Sequence, residues 1–210
     1  MIKYNSKLLI IGASGHGKVV ADIAIKMNRW EHIAFLDDNS LLHKSLNLDV
    51  IGKIKDISKY LSEYDFFVAI GNNQVRENIM RKLEDMGANI PVLIHPSAVI
   101  GEQIEVGFGT AIMAGAVINC CCNIGKGCIV NTGATLDHDN VIDNYVHISP
   151  GVNIAGTVKV GKNSWLGIGS IINNNITITS NCVIGAGAVV VNDIIEPGTY
   201  IGIPARLMEV

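Results

Sequence analysis

Residues 112–147 read IMAGAV INCCCN IGKGCI VNTGAT LDHDNV IDNYVH, and each block of six opens on Ile, Val or Leu. The step continues without a gap from Ile94 to Val190, through seventeen aliphatic positions. Four residues after each, the side chain is usually small or β-branched, as at Ala116, Cys122, Cys128, Ala134, Val146 and Val152. A period of six fits neither the 3.6-residue turn of a helix nor the two-residue alternation of an ordinary strand. It fits short strands joined by tight turns and stacked as a parallel β-helix, with three hexapeptides to a coil of about 18 residues. One coil cannot bury its own aliphatic ring, so neighbours must stack into a continuous core. Gly often follows the aliphatic (Gly101, Gly107, Gly125, Gly161, Gly167, Gly185), and these glycines are expected to give the corners their positive φ.

Outward from the repeats, the first ninety residues read differently. Lys7–Ile11 is a short buried-type strand running into Gly12-Ala13-Ser14-Gly15-His16-Gly17-Lys18 and then into a stretch of helical spacing. Strand, glycine loop and helix open a nucleotide-binding βαβ unit, in which free N–H groups at the helix start face phosphate. A second strand, His32–Leu36, ends at Asp37-Asp38, placed to accept from a ribose or base. A third, Asp65–Ile70, leads through Gly71-Asn72-Asn73 into a helix capped by Asn72 or Asn73 and stopped by Gly87. Strand Ile90–Ile94 enters the repeats. Three or four strands are too few for a full dinucleotide fold, and the same glycine loop also reads as a turn packing helix on strand.

Composition narrows the class. An apolar content of 49% against 17% charge marks a core-rich chain. A net charge of −3 and a pI of about 6.0 give no basic surface for nucleic acid or anionic membrane. No apolar run nears the roughly 20 residues of a membrane span. MIKYNSKLLIIGASG does not read as a secretory leader, so a cytoplasmic location is expected. Five cysteines without a CxxC pair oppose a disulfide framework or zinc knuckle. Cys122, Cys128 and Cys182 fall at the inward repeat position, whereas Cys120 and Cys121 fall on a turn.

GASGHGKVVADI (12–23), FLDD (35–38), VAIGNN (68–73), HPSAVIG (95–101), the hexapeptides and GIPAR (202–206), in that order, resemble the sialic-acid O-acetyltransferase family of sugar acetyltransferases. The resemblance covers essentially the whole chain. Its best-understood branch N-acetylates nucleotide-linked 4-amino-4,6-dideoxy sugars, as in bacillosamine and perosamine biosynthesis. It implies an α/β, Rossmann-like nucleotide-sugar domain over residues 1–91. It also implies an all-β, left-handed parallel β-helix with a C-terminal cap over 92–210, assembled as a homotrimer with acetyl-CoA between adjacent helices.

Position by position, Gly12, Ser14, Gly15, His16, Gly17, Asp37, Asp38 and Asn72 are implied on the substrate side. NTGATLDHD (131–139) puts the catalytic histidine at His138, with Asp139 as its acidic partner where many relatives carry Glu. VHISPGVNIAG (146–156) puts His147 and Gly156 on the acetyl-CoA side, and Lys159, Lys162, Trp165 and Arg206 are further cofactor candidates. No metal is implied.

The residues fit such chemistry in their own right. An amine attacking a thioester needs a base near neutral pH, and imidazole supplies one. A neighbouring carboxylate fixes its tautomer, and a glycine N–H can stabilise the oxyanion. Gly156 lies one coil after His138, in the same column. His147 lies half a coil away, so the two histidines can meet only between subunits. Rival readings remain: transfer to a sugar hydroxyl such as that of sialic acid, a metal site of the kind in hexapeptide-fold carbonic anhydrases, a non-catalytic sugar-binding scaffold, an acyl-enzyme on Cys120 or Cys121, and, for His138, an ordinary solvated corner.

Overall fold

A computed structural model describes residues 5–208. The chain divides into two compact units, one ending at Pro96 and the other beginning at Ser97.

The first unit is a five-stranded sheet with two helices: β1 (Lys7–Ile11), α1 (Gly15–Met27), β2 (His32–Leu36), β3 (Lys44–Ser45), β4 (Leu48–Gly52), β5 (Tyr64–Val68) and α2 (Asn73–Asp85). The spatial order is β3-β4-β2-β1-β5, parallel except for the β3–β4 pair. Interior strand β1, between β2 and β5, is the apolar run of the sequence, and Leu8 to Ile11 are fully buried, as befits a parallel strand covered on both faces. Five strands exceed the three or four expected. The addition is the β3–β4 hairpin, whose short, half-exposed strands offer no apolar run longer than Val50-Ile51 to betray them. Strand Ile90–Ile94 shrinks to Leu93–Ile94, since Pro91 has no N–H to give a ladder. Asp65, fully buried on β5, accepts from Trp30 Nε1 at 2.9 Å and Asn89 Nδ2 at 2.7 Å, which makes it a structural group.

The second unit is a parallel β-helix of two-residue strands. Each strand pairs with the one 18 residues on, as Val117↔Thr135, Asn123↔Val141 and Ile129↔His147. The first face carries the strands at 99, 117, 135, 153, 171 and 189; the second those at 105, 123, 141, 159 and 177; the third those at 111, 129, 147, 165 and 183. From Ile112 to Val190 every sixth residue is at most 2% exposed. Burial of one such side chain is worth about 1.5–3 kcal/mol, so the column of aliphatics is the main source of cohesion. The stack does not stop at Val190: Ile194 bridges to Ile178, and Thr199–Ile201 pairs with the third face before Arg206–Leu207 turns back antiparallel. This final coil has a looser period, which hides it from a six-residue count.

The glycines divide the work differently from the expectation. Positive φ belongs to Gly109, Gly115, Gly127, Gly133, Gly151, Gly169 and Gly187, three residues after the aliphatic. Those directly after it, such as Gly125 and Gly167, have ordinary φ and are needed for closeness instead. A Cβ at Gly167 would lie 2.5 Å from the Ile184 carbonyl oxygen on the next coil.

Candidate active site

The corner between the first and second faces carries His138, on the turn after Thr135–Leu136 and before Val141–Ile142. Asp139 occupies the left-handed position of that turn, φ 58°, a conformation Asp tolerates better than most residues. There its Oδ2 lies 2.8 Å from His138 Nδ1. If Nδ1 carries the proton and donates it to Asp139, Nε2 is left with a free lone pair. The hydrogen bond from Asp139, followed by the negative charge of Asp137, raises the His138 pKa above the ordinary imidazole value. The turn itself is braced: Asp137 Oδ1 accepts from the His138 N–H at 2.9 Å and from Asn119 Nδ2, one coil earlier, at 2.9 Å.

One coil further on, Gly156 sits directly against the imidazole. A methyl group there would lie 2.6 Å from His138 Cε1 and 2.7 Å from Nε2. Thr157 N–H donates to the His138 carbonyl at 2.9 Å, locking the two turns in register, and among the described residues the Gly156 N–H has no acceptor. A basic nitrogen and a free backbone donor therefore share one corner. Two shallow grooves flank it. One, of about 310 Å³, runs along the first face past Asn119, Thr135, Asp137 and Asn153. The other, of about 360 Å³, runs along the second face past Val141, Asp143, Lys159 and Thr177.

Of the other cofactor candidates, Lys159 lines a flanking groove, and the rest do not converge on this corner within one chain. His147 and Trp165 are neighbours on the third face, stacked at 5.7 Å between ring centroids and 9° between planes. Trp165 Nε1 donates to Ser149 Oγ at 2.7 Å. Lys162 lies over the Tyr145 ring at the next corner, and Arg206 is exposed in the final hairpin. Cys120 and Cys121 form the turn one coil before His138, where the Asp139 N–H donates to the Cys120 carbonyl at 3.2 Å.

In the α/β unit the glycine loop folds tightly at the end of β1. Gly12 has φ 98°, and Gly17 packs against the Gly12 carbonyl with no room for a Cβ. Gly15 faces open space, and Ser14, at the start of α1, spends its hydroxyl on no cap. His16 Nε2 is buried with no hydrogen-bond partner among the described residues, and burial, aided by the charge of Arg76, lowers its pKa to about 4. The ring is therefore neutral at physiological pH.

Asp37 and Asp38 already have internal partners. Asp37 Oδ2 accepts the Ala13 N–H at 2.8 Å, holding the glycine loop, and Asp38 Oδ1 accepts the Ile54 N–H at 3.1 Å. Asn72 caps α2, accepting the Val75 N–H at 3.0 Å. Beside Asp38 lies a cleft of about 420 Å³ lined by Ile54, Lys55, Ile57, Ile79, Lys82 and Met86. Lys55 and Lys82 are not singled out by the sequence, since they sit on elements without a glycine or acidic motif.

Comparison with known proteins bears on both units. Residues 7–83 match the model of the PglD N-terminal domain, and residues 157–192 match that of the bacterial transferase hexapeptide (six repeats). The acetyltransferase domain of PglB from Neisseria gonorrhoeae FA1090, also solved in complex with acetyl coenzyme A, superposes with a TM-score of 0.95 at 39% identity, covering 97% of this chain and 100% of that one. PerB from Caulobacter crescentus, solved with CoA and GDP-perosamine, gives 0.92 at 34% identity over 100% and 99% of the two chains. The GDP-perosamine N-acetyltransferase of Escherichia coli O157:H7 is 28% identical over 85% of this chain and 82% of its own length.

Proposed function

The chain belongs to the family of hexapeptide acetyltransferases that carry a PglD-like N-terminal domain, and from that premise we propose that it moves acetyl from acetyl-CoA to the 4-amino group of a nucleotide-linked 4-amino-4,6-dideoxy sugar. The observation that carries the chemistry is the stacking of the His138–Asp139 pair against Gly156, whose N–H is free.

In this reading the neutral amine attacks the thioester carbonyl carbon, forming the C–N bond. The Gly156 N–H donates to the oxygen as it gains charge, where a fixed donor stabilises the transition state more than the ground state. His138 Nε2 takes the proton the amine must lose, and Asp139 stabilises the imidazolium through Nδ1. The C–S bond then breaks, and His138 returns the proton to the departing CoA thiolate. Asp137 adds a second negative charge near the ring, which also favours proton uptake.

The α/β unit would hold the nucleotide. The first N–H groups of α1 and the open Gly15 suit phosphate, and the Asp38 cleft, largely apolar with Lys55 and Lys82 in its lining, suits a base. His147 and Trp165 stand on a different face from His138 in the same chain, which supports a homotrimer in which a neighbour's third face completes the acetyl-CoA site. The exposed Trp165, Ile168 and Val183 fit such burial. Light scattering giving the mass of a single chain would refute the trimer. Among the described residues no helix is long and apolar enough to cross a membrane, in keeping with work in the cytoplasm on soluble substrates.

The test is CoA release with UDP- and GDP-linked 4-amino-4,6-dideoxy sugars and with free sialic acid, wild type beside His138→Ala. Turnover of one amino sugar is expected, reduced about 10²- to 10⁴-fold in the variant. Turnover of sialic acid alone would move the assignment to O-acetylation. A variant as fast as wild type would remove His138 as the base.

A further inference from the structure

From Thr110 to Ala188, each position four residues after an aliphatic is buried, a place where the core excludes water. In the column beneath the catalytic corner the inward positions hold Ile104, Cys122, Asn140, Val158 and Ile176. Asn140 alone brings an amide, and it is 0% exposed. Burying an amide costs roughly 1–3 kcal/mol unless its groups are bonded, and at this column the neighbouring coils show that a hydrocarbon or thiol fits.

Asn140 is bonded at both ends, and the two partners belong to different turns. Its Nδ2 donates to the Asp137 carbonyl at 2.7 Å, and its Oδ1 accepts the Val158 N–H at 2.7 Å. The Asp137 carbonyl belongs to the peptide unit that carries the His138 N–H. That unit is thus held on both sides, by Asn140 on its oxygen and by Asp137 Oδ1 on its nitrogen. Cys122 Sγ adds a contact to the same carbonyl at 3.0 Å. Val158 follows Gly156 by two residues. One buried amide therefore ties the turn bearing the imidazole to the turn bearing the free N–H.

The inward hydroxyls elsewhere do something different. Thr110 Oγ1 donates to the Gly125 carbonyl and accepts the Cys128 N–H, and Ser164 Oγ donates to Thr179 and accepts from Cys182. Both of their partners lie on the following coil, so they staple coils together without holding their own turn.

We infer that Asn140 is a positioning residue, a buried clamp that sets the spacing between His138 and Gly156. The inference rests on the reading of His138 as base, and its test keeps the two apart. The full chain is assayed for kcat and KM with acetyl-CoA and the amino-sugar acceptor that wild type turns over, with melting temperatures alongside. Asn140→Val, which removes both bonds and keeps a side chain already used one coil on, is expected to lower kcat about 10- to 100-fold, the cost of a misplacement near 1 Å. KM for acetyl-CoA should change by less than about threefold, because an interaction made only in the transition state is lost. Thr110→Val, the control staple, is expected to lower the melting temperature while kcat stays at the wild-type value.

Should Asn140→Val fail to fold, Asn140→Thr keeps an acceptor for the Val158 N–H but lacks a donor long enough for the Asp137 carbonyl. It is expected to fold and still lose kcat. Wild-type kcat in a folded Asn140→Val or Asn140→Thr, or an equal kcat loss in Thr110→Val, overturns the inference while leaving His138 in place. An undiminished His138→Ala overturns the base and the clamp together.

Discussion

Two corners of the same triangular coil treat the left-handed backbone position in opposite ways. Between the third and first faces it is always glycine: Gly115, Gly133, Gly151, Gly169 and Gly187. Between the first and second faces it always carries a side chain: Gln103, Cys121, Asp139, Thr157 and Asn175. For an L-residue that conformation costs on the order of 1–2 kcal/mol, and for β-branched Thr157 it is unusual. The glycine corner only turns the chain. The other corner accepts strain and in return projects a side chain at a fixed height in the stack, and that is the corner where His138 and Asp139 stand. Under the proposed mechanism, the contrast separates residues kept for folding from residues kept for chemistry within one repeat.

Three substitutions would break or sharpen this contrast. The largest effect is expected from Gly156→Ala. Gly156 has no left-handed φ, so alanine suits its backbone and the nearest obstacle is the His138 ring. Turning the ring aside should lower kcat about 100-fold, and a kcat equal to wild type would show that the ring can move without consequence. A smaller loss, about tenfold, is expected from Asp139→Asn, which keeps a residue tolerant of the left-handed turn and removes the charge. Asp139 raises the His138 pKa, so its neutralisation lowers that pKa. The acid limb of the kcat/KM profile should then move to lower pH; a limb that stays put or rises would contradict the pairing. The smallest effect on catalysis belongs to the glycine corner. Gly115→Ala meets nothing nearer than 4.0 Å and should cost only backbone strain, about 1 kcal/mol of stability. A drop in kcat there would erase the distinction between the corners.

Much of this was legible in the residues. The unbroken step from Ile94 to Val190 dictated the β-helix, and the 18-residue offset between His138 and Gly156 dictated their contact, because side chains in a stacked coil meet only in columns. The roles of the glycines were not legible. A glycine needed for a left-handed turn and one needed for close approach look alike as letters, and only their offsets from the aliphatic, three residues or one, tell them apart. No motif singles out Asn140, although its position four after Leu136 marks it as inward. Asp37 and Asp38 read as ligands because acidic residues after a second strand often are, while their bonds to Ala13 and Ile54 depend on how loops close in space. The β3–β4 hairpin escaped because short, half-exposed strands carry little pattern.

The stack between Ile112 and Val190 keeps its 18-residue pairing without slippage. Position in such a molecule is therefore a matter of counting: a residue's number modulo 18 gives its corner, and the quotient gives its height. A duplication or deletion of one whole coil would leave every corner assignment intact and only lengthen or shorten the column. A deletion of one residue would shift every later side chain off its corner at once. The sequence can thus gain or lose material in quanta of 18, and the His–Asp pair with its glycine one quantum above forms a unit that could be written into another level of the same column.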